Sequence, residues 1–265
     1  MYNSYTLAKK YVRYYFTASN GKGHGVHSPF VFQFIKNVIN DNKEYSCYSE
    51  IEDIRKGLLR DEMIIDVEDF GAGSALAPHK KKSVRTIAKA SLKSKKYSQL
   101  LFRITQYFKP HTIIELGTSL GITTCYLSKG NPAATIYTLE GSSNIAALAN
   151  EIFNESGVKN IQLTEGNFDK TLPHVLNNFS AADMAFVDGN HRKVPTINYF
   201  RQLIKKTTEN SFLIFDDIHW SREMEAAWEE IKNDPAVTLS IDLFFIGIVF
   251  FKKEFRVKQH FTIRF

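Results

Sequence analysis

The sequence predicts an α/β protein built on a doubly wound, mostly parallel sheet of seven strands, the last two of which form an antiparallel pair. Three observations lead to this fold class. From about residue 97 onward, short apolar runs alternate with segments of helical periodicity. Every proposed parallel strand but one ends in an acidic residue or a glycine turn. The residues before 97 are rich in Tyr, Phe, Lys and His and hold few strand-like runs, so we expect a largely helical amino-terminal region.

The elements after residue 97 follow one another in a regular order. A helix over Tyr97–Phe108 stops before Pro110, because proline disfavours the helical conformation of the preceding residue. An apolar strand at 112–116, a glycine turn at 117–121 and a helix at 122–128 come next. Further strands are predicted at 134–139, 161–164, 183–187 and 212–215, and further helices at 144–156, 196–206 and 223–232. The last two runs, 237–244 and 246–252, flank a tight junction and are expected to pair in antiparallel fashion.

Length and composition exclude several classes of protein. The chain has 265 residues, of which 43% are hydrophobic and 23% charged. These values are typical of a globular protein and exclude a disordered chain, a collagen-like chain and a disulfide scaffold. The net charge of +6 is consistent with an ordinary solvated surface. We expect no membrane partner, because the longest apolar stretch, 243–251, is far shorter than the roughly 20 residues of a membrane span.

The start of the chain and its cysteines bear on location. Residues 1–10 are polar and aromatic and do not resemble a signal peptide. The two cysteines, Cys47 and Cys125, are far apart and imply no disulfide framework. We therefore expect a cytoplasmic protein.

Acidic residues gather at the ends of the predicted strands. Glu140 ends the second strand, Asp188 the fourth, and Asp216 and Asp217 the fifth. Because ligands bind outside the carboxyl ends of the strands in open α/β sheets, these side chains predict a binding site. Helix capping is the alternative explanation for each Asp. Glu140 also follows Glu115 at a spacing near that at which a strand-two acid meets a ribose diol.

The order and spacing of five segments resemble the class I S-adenosylmethionine-dependent methyltransferases, and most closely their catechol-type, cation-dependent O-methyltransferases. The segments are 113–121 (IIELGTSLG), 137–158 (YTLEGSSNIAALANEIFNESGV), 163–173 (LTEGNFDKTLP), 183–191 (DMAFVDGNH) and 212–220 (FLIFDDIHW). The resemblance spans residues 97–252. It implies a Rossmann-like sheet, S-adenosylmethionine as the cofactor, and methyl transfer. We accordingly divide the chain into an amino-terminal cap or substrate region, 1–95, and a cofactor-binding domain, 96–265.

The resemblance also assigns cofactor contacts. The methionine part would be lined by the residues of the first strand end, namely Glu115, Gly117, Thr118, Ser119 and Gly121. Ser119 stands where many class I enzymes have a third glycine, which the catechol-type enzymes also lack. Glu140 would hold the ribose hydroxyls, and Asp188 would also contact the cofactor. Beside the adenine the resemblance places Gly166, Asn167 and Phe168.

Metal ligands and a general base follow from the same resemblance. It implies that Asp188, Asp216 and Asp217 bind a divalent cation, Mg²⁺ or Mn²⁺, both of which prefer oxygen ligands. The family usually has Asn at the position of Asp217, so this chain adds a negative charge. Where the catechol-type enzymes carry a catalytic lysine, this chain has His191. A neutral imidazole accepts a hydroxyl proton near neutral pH, so we expect His191 and Asp188 to be catalytic, with His219 as the alternative base.

We therefore expect a methyltransferase that acts on a hydroxyl of a small molecule with the help of a divalent cation. One alternative keeps the fold and takes RNA, such as tRNA, as the acceptor, which the basic stretch 80–96 would suit. Others are a dinucleotide-binding oxidoreductase, although 117–121 lacks the G-x-G-x-x-G pattern, and a cofactor-binding module without turnover. A homodimer stays open, since the sequence does not fix the oligomeric state.

Two loops of the amino-terminal region stand apart from these motifs. Residues 24–30 (HGVHSPF) form either a loop that folds over the site or a surface loop before a helix at 30–39. Residues 69–74 (DFGAGS) imitate a nucleotide-binding loop, but no strand with a terminal acid follows them. We expect the second segment to be a substrate-side loop at most.

Overall fold

The computed structural model describes residues 1–23, 25–68 and 79–265. His24 of the predicted 24–30 loop and the whole predicted 69–74 loop lie outside these ranges. The helices are α1 (Ser4–Thr17), α2 (Pro29–Phe34) with a π-helical turn (Ile35–Ile39), α3 (Ser46–Leu58), α4 (Val84–Ser91), α5 (Lys95–Phe108), α6 (Ile122–Gly130), α7 (Ser143–Glu155), α8 (Phe168–Leu176), α9 (Lys193–Leu203) with a 3₁₀ turn (Ile204–Lys206), and α10 (Arg222–Asn233). None of these helices has the length and hydropathy that crossing a membrane requires.

The strands are β1 (Ile64–Glu68), β2 (His79–Ser83), β3 (Thr112–Leu116), β4 (Thr135–Glu140), β5 (Ile161–Glu165), β6 (Met184–Val187), β7 (Phe212–Asp216), β8 (Leu239–Asp242), β9 (Ile246–Phe250) and β10 (Gln259–Thr262). Eight of them, β3 to β10, belong to one mostly parallel sheet. The predicted fold class and the helical amino-terminal region are confirmed. The sheet has one strand more than predicted, because the short polar segment of β10 gives no apolar run.

The chain divides into two compact units, which we call the central unit (Asn42–Asn178) and the terminal unit (Met1–Asp41 with Phe179–Phe265). The bounds of these units differ from the predicted boundary near residue 95. The predicted division into two domains stays a prediction.

In the central unit, β4 pairs in parallel with β3 on one side and β5 on the other. The strands β3 and β4 are largely buried, as continuous apolar runs in parallel sheets require. Aromatic side chains from α3, α5, α6 and α7, namely Tyr48, Phe102, Tyr126 and Phe153, share one core cluster. The strands β1 and β2 form a separate antiparallel pair that the sequence did not predict, because the run HKKKS of β2 has no apolar alternation.

In the terminal unit, β6 and β7 are parallel, while β9 pairs in antiparallel fashion with both β7 and β8. The predicted final hairpin is therefore confirmed. It turns at Phe244, whose φ is 71°. Strand β10 lies parallel to β8. Helix α1 packs Tyr11 and Tyr14 against Phe244, with ring centroids 5.1 Å and 5.2 Å apart, so the start of the chain is anchored at this hairpin.

Candidate active site

The turn after β3 has a backbone that only glycine accommodates easily at two positions. Gly117 and Gly121 have φ values of 101° and 75°, in the left-handed region. A Cβ atom on Gly121 would lie 2.6 Å from Cε1 of Phe153. The turn is tied to β4, because the backbone N–H groups of Gly117 and Thr118 both donate to the carbonyl of Leu139, at 3.0 Å and 3.1 Å. The predicted cofactor turn is thus held rigidly at the end of β3.

The carboxylate of Glu140 is oriented by backbone groups of the two adjoining turns. Ser119 N donates to Oε2 at 2.8 Å, and Ser142 N donates to Oε1 at 3.0 Å. Burial raises the pKa of Glu140, and the backbone N–H groups of Ser142, Ser119 and Gly141 offset that increase only in part. Each carboxylate oxygen has a further lone pair to offer. The side chain is therefore fixed as a two-oxygen acceptor, which matches the diol of a ribose.

Glu115 has a role in the interior that the sequence did not reveal. Its side chain is fully buried, and its Oε2 accepts hydrogen bonds from the hydroxyls of Thr124 and Thr138, at 2.5 Å and 2.7 Å. Thr138 also contacts Thr118, with their hydroxyl oxygens 2.6 Å apart. This buried chain of hydroxyls stabilises the start of the cofactor turn. The contact of Glu115 with the methionine part stays a prediction.

The turn after β5 adjoins the same strand end. Gly166, with φ at 126°, donates its N–H to the carbonyl of Glu140 at 2.8 Å. Asn167 caps α8, because its side chain accepts a hydrogen bond from Asp169 N at 2.8 Å, and Phe168 is the first residue of that helix. The structure therefore places all three residues just after β5, and their contact with an adenine stays a prediction.

In the terminal unit, Asp188 and His191 lie close together just after β6. Nε2 of His191 is 3.6 Å from Oδ1 of Asp188, and both side chains are partly exposed. The ring of Trp220 packs edge-on against His191, with centroids 5.5 Å apart. Asn190, between the two, has a φ of 55°. The pair can therefore act as an acid–base unit beside an aromatic surface.

Asp216 and Asp217 follow each other at the end of β7 but differ in setting. Asp216 is buried, at 1% exposure, whereas Asp217 is partly exposed and has a φ of 54°. Left-handed backbone at residues other than glycine costs energy and clusters at functional sites. Ser119, Asn190 and Asp217 all have this conformation, each at or just after the carboxyl end of a strand. That the strand ends carry the site stays a prediction.

The metal site is not shown by the geometry. Across the described ranges, no group of three or more His, Cys, Asp or Glu side chains is arranged to hold a metal ion. The carboxyl oxygens of Asp188, Asp216 and Asp217 are chemically suited to Mg²⁺ or Mn²⁺. Ligation by these three residues stays a prediction.

His219, the alternative base, has hydrogen bonds at both ring nitrogens. Its Nε2 lies 2.8 Å from Oδ2 of Asp242, and its Nδ1 lies 3.2 Å from Oε1 of Glu225. Burial lowers the pKa of His219, but the two carboxylates outweigh burial and raise it. Glu225 also accepts hydrogen bonds from Tyr2 and Lys10 of the amino-terminal segment, at 2.7 Å and 2.8 Å. His219 therefore stabilises the docking of α1, and His191 is the better candidate base.

Comparisons with known proteins bear on the fold and on one domain of the chain. Residues 114–218 match a family model described as a methyltransferase domain. The comparison with curated proteins found no match. Many solved structures are similar in fold. One is the S-adenosylhomocysteine-bound methyltransferase PaMTH1 of Podospora anserina, at 14% identity and a TM-score of 0.59, covering 96% of this chain and 98% of that one.

Two further structures are described as O-methyltransferases. That of Bacillus cereus, in complex with S-adenosylhomocysteine, is 18% identical, with a TM-score of 0.54 and coverage of 83% of this chain and 97% of that one. TomG of Streptomyces achromogenes, in complex with S-adenosylmethionine, is 17% identical, with a TM-score of 0.56 and coverage of 79% and 91%. At such identities the likeness shows the fold alone. The chain therefore has the Rossmann-like fold of these solved methyltransferases, and its residues 114–218 match the model of a methyltransferase domain.

Proposed function

We propose that the protein transfers the methyl group of S-adenosylmethionine to a hydroxyl of a small molecule, with a divalent cation bound by Asp188, Asp216 and Asp217. The observation that carries the cofactor assignment is the carboxylate of Glu140. Both of its oxygens are aligned by backbone N–H groups beside a glycine turn, so they are ready to accept the two ribose hydroxyls. The family model over residues 114–218 supports the same assignment.

We assign the deprotonation of the acceptor hydroxyl to the residues just after β6. S-adenosylmethionine, when bound, supplies a methyl group that its sulfonium charge already activates. The protein must then align a hydroxyl with that methyl group and remove the hydroxyl proton. His191 takes the proton at Nε2, and the carboxylate of Asp188, 3.6 Å away, stabilises the imidazolium that results. A cation at the carboxylates would lower the pKa of the hydroxyl further.

The position of Trp220 indicates which class of methyl acceptor the site would take. Its partly exposed ring lies against His191, with centroids 5.5 Å apart, so a planar acceptor can stack beside the proposed base. We therefore favour an aromatic hydroxyl as the acceptor.

Thermal unfolding with separate ligands tests the cofactor. At about 100 times its Kd, a ligand adds roughly 2.7 kcal/mol of stability, which for this chain length corresponds to a Tm increase of roughly 5–10 °C. We expect this increase with S-adenosylhomocysteine and none with NAD. A response to NAD alone would contradict the proposal and favour an oxidoreductase.

Methyl transfer to a panel of aromatic hydroxyls, with Mg²⁺ or with a chelator, tests the rest. We expect transfer in Mg²⁺ and its loss in the chelator. Transfer that persists in the chelator would refute the cation and leave the methyltransferase assignment intact. Transfer to tRNA instead of the panel would refute the small-molecule acceptor.

A further inference from the structure

Ser91, the last residue of α4, makes a side-chain hydrogen bond to the cofactor turn. Its Oγ lies 2.7 Å from Oγ of Ser119, and its hydroxyl also donates to the carbonyl of Ile87 at 2.9 Å. Ser91 is exposed and Ser119 is partly exposed. A ligand bound at the turn after β3 can therefore reach this pair of hydroxyls.

The hydrogen bond to Ile87 determines which serine donates to the other. A serine hydroxyl has one hydrogen and two lone pairs. Because Ser91 gives its hydrogen to the carbonyl of Ile87, Ser119 must give its own hydrogen to Ser91. The backbone N–H of Ser119 is also committed, since it donates to Glu140. Toward a ligand, Ser119 is thus left with an oxygen that can only accept.

We propose that Ser91 is a positioning residue that presents Ser119 as a hydrogen-bond acceptor to the α-ammonium group of the cofactor's methionine part. An oxygen that only accepts suits an ammonium group, which only donates, and repels a carboxylate. The inference rests on the proposed function, because it requires S-adenosylmethionine or S-adenosylhomocysteine in the turn. It goes beyond that function by naming the group recognised and a residue outside the sequence motifs.

Removing the hydroxyl of Ser91 should leave α4 in place. The helix buries Val84, Ile87 and Ala88 in the core. Its first turn is held by Val84 N and Arg85 N, which donate to the carbonyls of Met63 and Asp61 at 2.9 Å and 2.7 Å. An effect of Ser91→Ala on ligand binding would therefore come from the lost hydrogen bond rather than from an undocked helix.

Titration calorimetry with two probes tests the proposal. S-adenosylhomocysteine carries the ammonium group, and 5′-methylthioadenosine lacks the whole amino-acid part. A neutral hydrogen bond contributes about 0.5–1.5 kcal/mol, so we expect Ser91→Ala to weaken the binding of S-adenosylhomocysteine by roughly two- to twelve-fold. The affinity for 5′-methylthioadenosine should not change. Ser91→Thr keeps the hydroxyl and should restore binding.

Two further variants separate positioning from scaffolding. Ser83→Ala is the matched control, because Ser83 caps the same helix by accepting from Thr86 N and does not touch the turn. It should lower Tm without changing either affinity. In a double-mutant cycle, Ser91→Ala should add nothing once Ser119 is alanine, since Ser91 acts only through Ser119.

Each contrary result has a distinct meaning. An unchanged affinity of Ser91→Ala for S-adenosylhomocysteine would overturn the inference, as would equal weakening of both probes or full additivity with Ser119→Ala. Failure of the unaltered protein to bind S-adenosylhomocysteine would instead refute the proposed function. A decarboxylated analogue that keeps the ammonium group should respond to Ser91→Ala as S-adenosylhomocysteine does, and no response would show that the carboxylate is the group recognised.

Discussion

Replacing Glu140 by Gln tests the part of the site that the structure defines best. In the protein, each carboxylate oxygen of Glu140 accepts one backbone N–H, from Ser119 at 2.8 Å and from Ser142 at 3.0 Å. The amide of Gln has one oxygen and one NH₂ group. One of the two backbone donors must therefore face another donor, and one ribose hydroxyl loses its charged acceptor.

The size of the effect follows from these bonds. A hydrogen bond to a charged group contributes about 1.5–3 kcal/mol, so the Kd of Glu140→Gln for S-adenosylhomocysteine should increase by roughly 10- to 150-fold. The donor left without a partner should also lower the unliganded stability by about 1–3 kcal/mol. At 100 times the original Kd, a ligand weakened 100-fold adds only about 0.4 kcal/mol, so the ligand-induced increase in Tm should nearly vanish.

Calorimetry and thermal unfolding, with and without ligand, measure both effects. Glu151→Gln, at an exposed position of α7, is the matched control and should change neither. If folded Glu140→Gln binds S-adenosylhomocysteine within about three-fold of the unaltered protein, which is less than 1 kcal/mol, Glu140 does not hold the ribose.

Three further predictions concern pH, the glycine turn and the base. Because burial raises the pKa of Glu140, affinity for S-adenosylhomocysteine should fall as the pH is lowered from neutral. Calorimetry that shows a constant affinity down to the pH at which an ordinary glutamate becomes protonated would contradict this. Gly121→Ala places a Cβ 2.6 Å from Phe153 and should lower the free energy of unfolding by about 1–3 kcal/mol, as measured by urea unfolding. Gly157→Ala is the control and should lower it less, because its Cβ meets open space at a similar φ. His191→Asn should lower kcat by about 10²–10⁴-fold with little change in affinity for S-adenosylhomocysteine, and an unchanged kcat would exclude His191 as the base.

The α/β body of the protein could be predicted from the sequence because its strands are buried. A strand covered on both faces needs a continuous apolar run, and the runs at 112–116, 184–187 and 212–216 stand out from the helices between them. Strands that lack such a run were missed. Neither β2, with three consecutive lysines, nor the short polar β10 carries a periodic pattern.

The candidate site divides in the same way. The acids at the strand ends could be identified from the sequence, because the ends of the apolar runs mark those positions. The use of each side chain depends on the tertiary structure, since its hydrogen-bond partners are distant in the chain. The tertiary structure commits His219 to Asp242 and Glu225 and leaves His191 beside Asp188. The structure also brings Ser91 into hydrogen-bond contact with Ser119, 28 residues further along the chain. This contact arises from the packing of a helix against a turn, which no local sequence pattern predicts.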